Sequence, residues 1–165
     1  MRAVAIRFVI PMLILSLHCQ AAAPDAPKPV PFETYDGHFV TNKFEAESPA
    51  SFVVIDNQKL FDSVFGAGFV MNDKRHRLPK GAFDSKLVIS AIKRGKATCE
   101  FKVQEVTMNK GVVTVKYAVI ETPHATASFA NPLILSVPKG DYEAVQFVEN
   151  DKPVQTLNLK PAPAK

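Results

Sequence analysis

The chain has 165 residues, of which 20 are lysine or arginine and 16 are aspartate or glutamate, giving a formal net charge of +4 at pH 7. Residues 1–21 hold two of the arginines and no acidic residue, so the rest of the chain has 18 basic and 16 acidic residues. A balance this close to neutral does not indicate a nucleic-acid-binding protein, and we expect no nucleic-acid partner. The two cysteines, Cys19 and Cys99, exclude a domain held by several disulfides, so burial of apolar side chains has to stabilise the fold.

The chain begins like a secretory signal peptide. Arg2 and Arg7 precede the apolar run FVIPMLILSL, and the small residues after which a signal peptidase cleaves come next. We predict a signal peptide at residues 1–21, removed by cleavage after Ala21 or Ala22. The mature protein is therefore expected to be secreted or periplasmic.

No membrane anchor is expected in the mature chain. The apolar run is interrupted by Pro11 and is shorter than the roughly 20 residues that cross a bilayer. Lipid attachment at Cys19 is not expected either, because His18 occupies a position where lipoprotein signals carry a small residue. With Cys19 removed, Cys99 is the single cysteine of a soluble, exported chain.

Proline-rich segments border the part of the chain that we expect to fold. Residues 22–31 contain PDAPKPVP and are predicted to be a linker, and the tail at 160–165, KPAPAK, has a similar composition. Residues 32–159 between them are predicted to form a single β-rich domain, which is long enough for one apolar core.

The first strong signals inside this domain are a strand and a short helix. The run SFVVI at 51–55 is typical of a strand. Asp56 or Asn57 can then cap the start of a helix, and Gly66 can end it. Four apolar residues recur between them at helical spacing: Leu60, Phe61, Val64 and Phe65.

A long connection follows the helix and contains the basic stretch NDKRHRLPKG at 72–81. Connections of this length are uncommon in compact domains and often carry function. The sequence therefore offers a candidate partner-binding loop made of five residues of this stretch: Lys74, Arg75, His76, Arg77 and Lys80. The alternative is that the charged side chains form only a solvated face of the connection.

Strands account for the rest of the domain. VVTVKYAVI at 112–120 alternates clearly between apolar and polar residues. In 99–108 the alternation slips by one residue, which predicts a bulge near Gln104 and Glu105, and 109–111 is predicted as a three-residue hairpin loop in which the glycine supplies a positive φ. The predicted fold is mainly β, an antiparallel sandwich-like or barrel-like sheet with one short α-helix. The further predicted strands are 87–92, 133–137 and 142–148.

Three stretches carry a family resemblance: FVVIDNQKLFDSVFG, LPKGAFDSKLVISAIKRGKATCEFKVQEV and NPLILSVPKG, all within about residues 51–149. Phe83-Asp84 stands at a strand entry in reversed order, Gly95 at a glycine position and Phe101 at an aromatic one, whereas Thr98–Phe101 lacks two glycines. In this order of elements the chain resembles the C-terminal domain of the protease complex subunit PrcB family. The resemblance implies an exported β-rich accessory domain that associates with, or stabilises, a secreted protease, and it implies no catalytic residues.

Side chains with catalytic or metal-binding chemistry are scattered along the sequence. His38, His76 and His124 show no ligand spacing, and no nucleophile motif is present. Cys99 is expected in the core, on the inner face of its strand. The basic run at 93–96 leaves a reactive thiol as an open alternative. We predict no catalytic residue, no metal site and no cofactor.

The predicted function is an exported, non-catalytic accessory or protein-binding module whose partner is another exported protein, such as a protease. The alternative is a small binder of polyanionic envelope components, glycans or lipid headgroups, that uses the basic loop at 72–81. That loop and the basic residues at 93–96 are separated by a strand spanning roughly 20 Å, so we do not expect them to form one patch.

Overall fold

The structure, a computed structural model, describes residues 26–68, 76–123 and 126–159. In this part of the chain two main β-sheets pack face to face, and a two-stranded sheet and a seven-residue helix accompany one of them. The predicted mainly β, sandwich-like fold with one short α-helix is confirmed, and the sheets do not close into a barrel. The predicted signal peptide at 1–21 and the tail at 160–165 lie outside the described residues.

The elements follow one another along the chain with one helix early and the long strands late. In chain order they are β1 (Lys28–Pro29), β2 (Glu33–Thr34), β3 (His38–Val40), β4 (Ala50–Ile55), α1 (Gln58–Val64), β5 (Phe65–Ala67), β6 (Lys86–Gly95), β7 (Ala97–Asn109), β8 (Val112–Pro123), β9 (Phe129–Pro138), β10 (Ala144–Glu149) and β11 (Lys152–Asn158).

The two main sheets differ in size and in how they are buried. The larger has the strand order β1-β7-β8-β10-β11, and the smaller has the order β2-β9-β6-β4. Neighbouring strands are antiparallel except β8 and β10, which run parallel because the chain passes from β9 in the smaller sheet back to the larger one. β3 and β5 form the separate two-stranded sheet.

The smaller sheet is buried on both faces, which explains why β6 reads as a continuous apolar run. All its residues from Leu87 to Ile92 are buried, and Ser90 satisfies its hydroxyl by donating to the Leu133 carbonyl at 2.6 Å. One face of β6 packs against the larger sheet, so that Ile89 and Phe147 belong to one core. The other face packs with α1 and β5 into a second core.

The predicted bulge in β7 is confirmed. Val103 pairs with Tyr117 and Glu105 pairs with Lys116, so Gln104 is the extra residue on the β7 side. The bulge moves the inward-facing positions of β7 by one residue, and this is the slip in alternation that the sequence carries.

The turn of the β7–β8 hairpin is shorter than predicted. Asn109 pairs with Val112, so the loop has two residues, Lys110 and Gly111, and not three. Their φ angles are 47° and 78°, which is the arrangement of a type I′ turn. Gly111 supplies the expected positive φ, and the prediction of a third loop residue was wrong because Asn109 completes the ladder.

The helix begins as predicted but ends earlier. The Asn57 side chain accepts a hydrogen bond from the Leu60 N–H at 2.9 Å and caps the first turn. The helix stops at Val64, and Gly66 is not its C-cap. Gly66 lies in β5 beneath the ring of Phe39, where a Cβ would collide with that ring, so the glycine serves close packing.

The proline-rich segment at 22–31 is not a linker throughout. β1 pairs with Thr107 and Met108 of β7, and the Val30 N–H donates to the Val106 carbonyl at 2.8 Å. Proline is compatible with this place because β1 lies at the edge of its sheet, where a missing N–H disrupts no ladder. The fold therefore includes residues before Phe32.

Candidate binding groove

A groove with a volume of about 620 Å³ lies between β7 and the residues around β2. Three parts of the chain form it: the segment at 32–38 together with His76, the inward-facing side of β7 near Phe101, and β9. Its lining residues are Phe32, Thr34, Tyr35, Asp36, His38, His76, Cys99, Phe101, Lys102, Val103, Pro132, Leu133 and Ile134.

The β7 strand beside the groove is partnered on one side only. Within the described part of the chain β1 covers Thr107 and Met108, and no strand lies next to Ala97–Gln104 on the side away from β8. A strand in this situation presents a row of backbone N–H and C=O groups to its surroundings.

The residues that present these groups follow from the hydrogen bonds of β8. The Tyr117 carbonyl accepts from the Asn150 N–H at 2.9 Å, so Tyr117 faces β10 and not β7. Val103 lies opposite Tyr117. In an antiparallel pair, opposed residues either bond to each other or both face away. The N–H and C=O of Val103 therefore face the unpartnered side.

The same direction recurs at every second residue before the bulge. Phe101 lies opposite Val119, whose N–H donates to the Asn150 side chain at 3.0 Å and so also faces away from β7. By the two-residue period Cys99 has the same orientation. We call the backbone groups of Cys99, Phe101 and Val103 the open edge.

The side chains along the open edge alternate in burial. Those of Cys99, Phe101 and Val103 are half-buried and point inward, and Phe101 and Val103 pack against the core between the two main sheets. Glu100 and Lys102 are exposed on the opposite face of β7. An incoming strand would therefore meet the backbone groups of β7 in the plane of the sheet. On the outer face of β7 it would meet one negative charge, Glu100, and one positive charge, Lys102.

Cys99 is half-buried and lines the groove, whereas the sequence placed it in the core. Burial raises the pKa of its thiol, and the negative charge of Glu121, its partner in β8, raises the pKa further. The positive charge of Lys93 acts in the opposite direction without reversing the shift. The thiol is therefore protonated near neutral pH, which does not favour the reactive-thiol alternative.

His76 joins the predicted loop to the segment around β2. Its backbone N–H donates to Asp36 Oδ1 at 2.7 Å, and its Nδ1 lies 2.8 Å from the Thr34 carbonyl, which can only accept. The ring also contacts Tyr35, with 4.8 Å between the ring centroids. His76 is thus an exposed part of the groove that is oriented by three contacts.

His38 holds Leu78, which lies two residues after His76 in the loop. Its Nε2 accepts a hydrogen bond from the Leu78 N–H at 3.1 Å, and its ring meets the edge of Phe61. Burial lowers the pKa of His38, and the nearby charge of Arg77 lowers it further. Both effects favour the neutral imidazole that this hydrogen bond requires.

The remaining predicted loop residues are divided. Lys74 and Arg75 lie outside the described residues. Arg77 is half-buried and donates to the Gly68 carbonyl, and its side chain passes so close to Gly37 that a Cβ there would collide with it. Lys80 is exposed in the turn before a short 3-10 helix at 82–84. His76 and Arg77 therefore attach the loop to the rest of the fold.

The second basic cluster of the sequence is also engaged internally. Lys93 forms ion pairs with Glu121 at 2.8 Å and Glu149 at 2.7 Å, which links the smaller sheet to the larger one. Arg94 points to the other side of β6, where it donates to backbone carbonyls of Phe44 and Ser48. The positive charge of Lys93 near Cys99 is therefore paired with two carboxylates.

Across 26–68, 76–123 and 126–159 no three histidine, cysteine or acidic side chains are grouped so as to hold a metal ion. The helices in that part of the chain are too short and too polar to cross a membrane.

Comparison with known protein families, with curated proteins and with solved structures found no match for this chain. The resemblance to the PrcB family therefore stays a prediction. The groove has to be interpreted from its own geometry.

The wall of the groove at 32–38 was missed from the sequence. Tyr35 is buried there, with its hydroxyl 2.9 Å from Ser136 Oγ and donating to Glu33 at 3.0 Å. The run ETYDGHFV is interrupted by Gly37 and has no sustained alternation, so it lacks the signal that predicts a strand.

Proposed function

We propose that this protein is an exported, non-catalytic protein-binding module that receives an extended segment of a partner chain along β7. The observation that carries the proposal is the open edge, three residues whose backbone groups face away from β8 beside a groove of about 620 Å³. Addition of a strand to such an edge provides affinity through main-chain hydrogen bonds, and neighbouring pockets select the side chains.

The far edge of the same sheet is a poorer site. β11 contains Pro153, and the β10–β11 ladder is interrupted between Phe147 and Val148. Proline and irregular pairing are devices that protect edges against association. The open segment of β7 contains no proline, and its bulge at Gln104 lies at its end.

The partner class rests on the predicted export signal and on the family resemblance. A chain with a signal peptide at 1–21 would meet other exported proteins, and the PrcB resemblance implies a secreted protease. The polyanion alternative is less well supported, because the described residues His76 and Arg77 are committed to contacts within the fold. The raised pKa of Cys99 supports a non-catalytic role.

Site-specific photo-crosslinking in the producing cells tests this proposal. A photoreactive amino acid at Lys102 should crosslink to a polypeptide chain, and the same probe at Gln155 on β11 should not. Val103→Pro removes the outward N–H without removing a bond to β8 and should abolish the crosslink. Val103→Thr keeps the N–H and the side-chain shape and should retain it.

Two results would contradict the proposal. One is the absence of any crosslinked chain from Lys102, and the other is an equal yield from Val103→Pro and Val103→Thr. Circular dichroism of both variants has to show a folded protein before the yields are compared.

A further inference from the structure

We infer that the strand which the open edge fits is the open edge of a second copy, so that the protein forms a two-fold symmetric dimer through β7. This inference rests on the proposed function, since it uses the same edge, and it names a second copy as the partner in place of a different exported protein. Two such sheets would join into one continuous sheet across the two-fold axis.

The backbone directions allow an antiparallel pair centred on Phe101. In that register Phe101 lies opposite Phe101 of the second copy, and Cys99 lies opposite Val103. All three residues turn their N–H and C=O outward. Each opposed pair is therefore a hydrogen-bonded pair, in which the two residues exchange both of their bonds.

The charges on the outer face select this register. With Phe101 at the centre, Glu100 of each copy lies opposite Lys102 of the other, and symmetry makes this contact twice. Both side chains are exposed and free of any ion pair that competes among the described residues. Opposite charges on directly opposed residues stabilise a strand pair, whereas like charges destabilise it.

The neighbouring registers are disfavoured by the same two residues. In the two nearest alternative registers, which are centred on Glu100 and on Lys102, outward-facing residues also meet one another. Centring on Glu100 opposes two carboxylates, and centring on Lys102 opposes two ammonium groups and also brings the bulge at Gln104 into the pair. Of these three alignments, only the one centred on Phe101 opposes unlike charges.

The alignment also fixes what Cys99 can do. Cys99 of one copy would lie about 13 Å along the strand from Cys99 of the other, since four residues separate Val103 from Cys99. A disulfide requires Cα atoms within roughly 7 Å, so the dimer is not joined by one. Val103→Cys would instead place a new thiol opposite Cys99 of the second copy.

Reversing the charges of Glu100 and Lys102 tests the inference, because both side chains are exposed and their substitution leaves the core unchanged. Sedimentation velocity over a series of concentrations should show a monomer–dimer equilibrium for the natural chain. Glu100→Lys and Lys102→Glu should each weaken the dimer about tenfold or more, since each creates two like-charge pairs. The double variant should restore the dimer, and a mixture of the two single variants should form a heterodimer.

Oxidation of Val103→Cys gives a second measurement. A covalent dimer should form through Cys99 and the new cysteine, and Cys99→Ser in the same chain should prevent it. A chain that stays monomeric at every concentration, or a dimer that none of the charge variants affects, would overturn the inference.

Failure of the inference and failure of the proposed function are distinguishable. If the chain is monomeric while a probe at Lys102 crosslinks to a different exported protein, self-pairing is wrong and strand addition at the open edge stands. If the chain is monomeric and the probe captures no chain, both are wrong.

Discussion

His38 is a titratable residue that helps to attach the loop at 76–81 to the rest of the fold. Its Nε2 accepts the Leu78 N–H, and a protonated ring would oppose one N–H with another. Burial lowers the pKa below its usual value of 6.5, and Arg77 adds to this, whereas Asp62 acts in the opposite direction. The folded state therefore binds fewer protons at His38 than the unfolded state between the two pKa values.

A pH dependence of stability follows from this shift. The free energy of unfolding should rise with pH through the window that ends near 6.5, and the contribution of His38 should be lost as the pH falls through the folded pKa. His38→Gln keeps an acceptor for Leu78 but does not titrate, so its urea unfolding should show a smaller slope in this window. Equal slopes for the two proteins would contradict the prediction.

At the scale of elements, the β7–β8 turn contains two residues with positive φ angles. Lys110 is unfavourable in this conformation, whereas Gly111 is required for it. Lys110 has a φ of 47°, and type I′ turns favour asparagine at this position. Lys110→Asn should stabilise the protein by about 0.5 kcal/mol. Gly111→Ala should destabilise it by about 1 kcal/mol or more, because a Cβ would lie 2.8 Å from Glu143 Cγ at a φ of 78°. Urea unfolding of both variants checks the two signs, and stabilisation by Gly111→Ala would refute the turn assignment.

The ion pairs of Lys93 join strands of the two main sheets. The side chains of Lys93 and Glu149 are 25% and 17% exposed, and Tyr117 also donates to Glu149. Burial lowers the pKa of Lys93, but the hydrogen bonds to Glu121 and Glu149 outweigh it and raise the pKa. The ammonium group is therefore a fixed charge in this contact between β6 and the strands β8 and β10.

Removal of that charge should weaken the packing of the sheets. Lys93→Met should lower the free energy of unfolding by about 1–3 kcal/mol, since it leaves the partly buried Glu149 carboxylate without its positively charged partner. Adding Glu149→Leu should recover part of the loss. Lys116→Met removes an ion pair with the exposed Asp151 and should have a measurably smaller effect in the same urea titration. Equal effects at Lys93 and Lys116 would contradict a role in joining the sheets.

The sequence predicted the strands in which apolar and polar residues alternate over many positions, and the helix that begins with a capping residue. β8, the bulge in β7 and the Asn57 cap are of this kind. The short strands β1, β2, β3 and β5 were missed because two or three residues are too few to show a period. β11 was missed because its Pro153 argues against a strand, although edge position permits it.

At the scale of the whole molecule, the groove brings together residues that are far apart in sequence. Phe32, His76 and Phe101 line it with β9, and no spacing rule relates these positions. The sequence placed function in the basic loop at 72–81, of which His76 reaches the groove. Which strand keeps an unpartnered side depends on the order of strands in the sheet, and alternation along one strand does not contain that information.

Amide hydrogen exchange along β7, resolved by NMR, tests the open edge most directly. In dilute solution the N–H groups of Glu100 and Lys102, which face β8, should exchange slowly, whereas those of Cys99, Phe101 and Val103 should exchange fast. Raising the protein concentration should slow exchange at these three while the other two stay unchanged. Equal protection of all five residues in dilute solution would contradict the account.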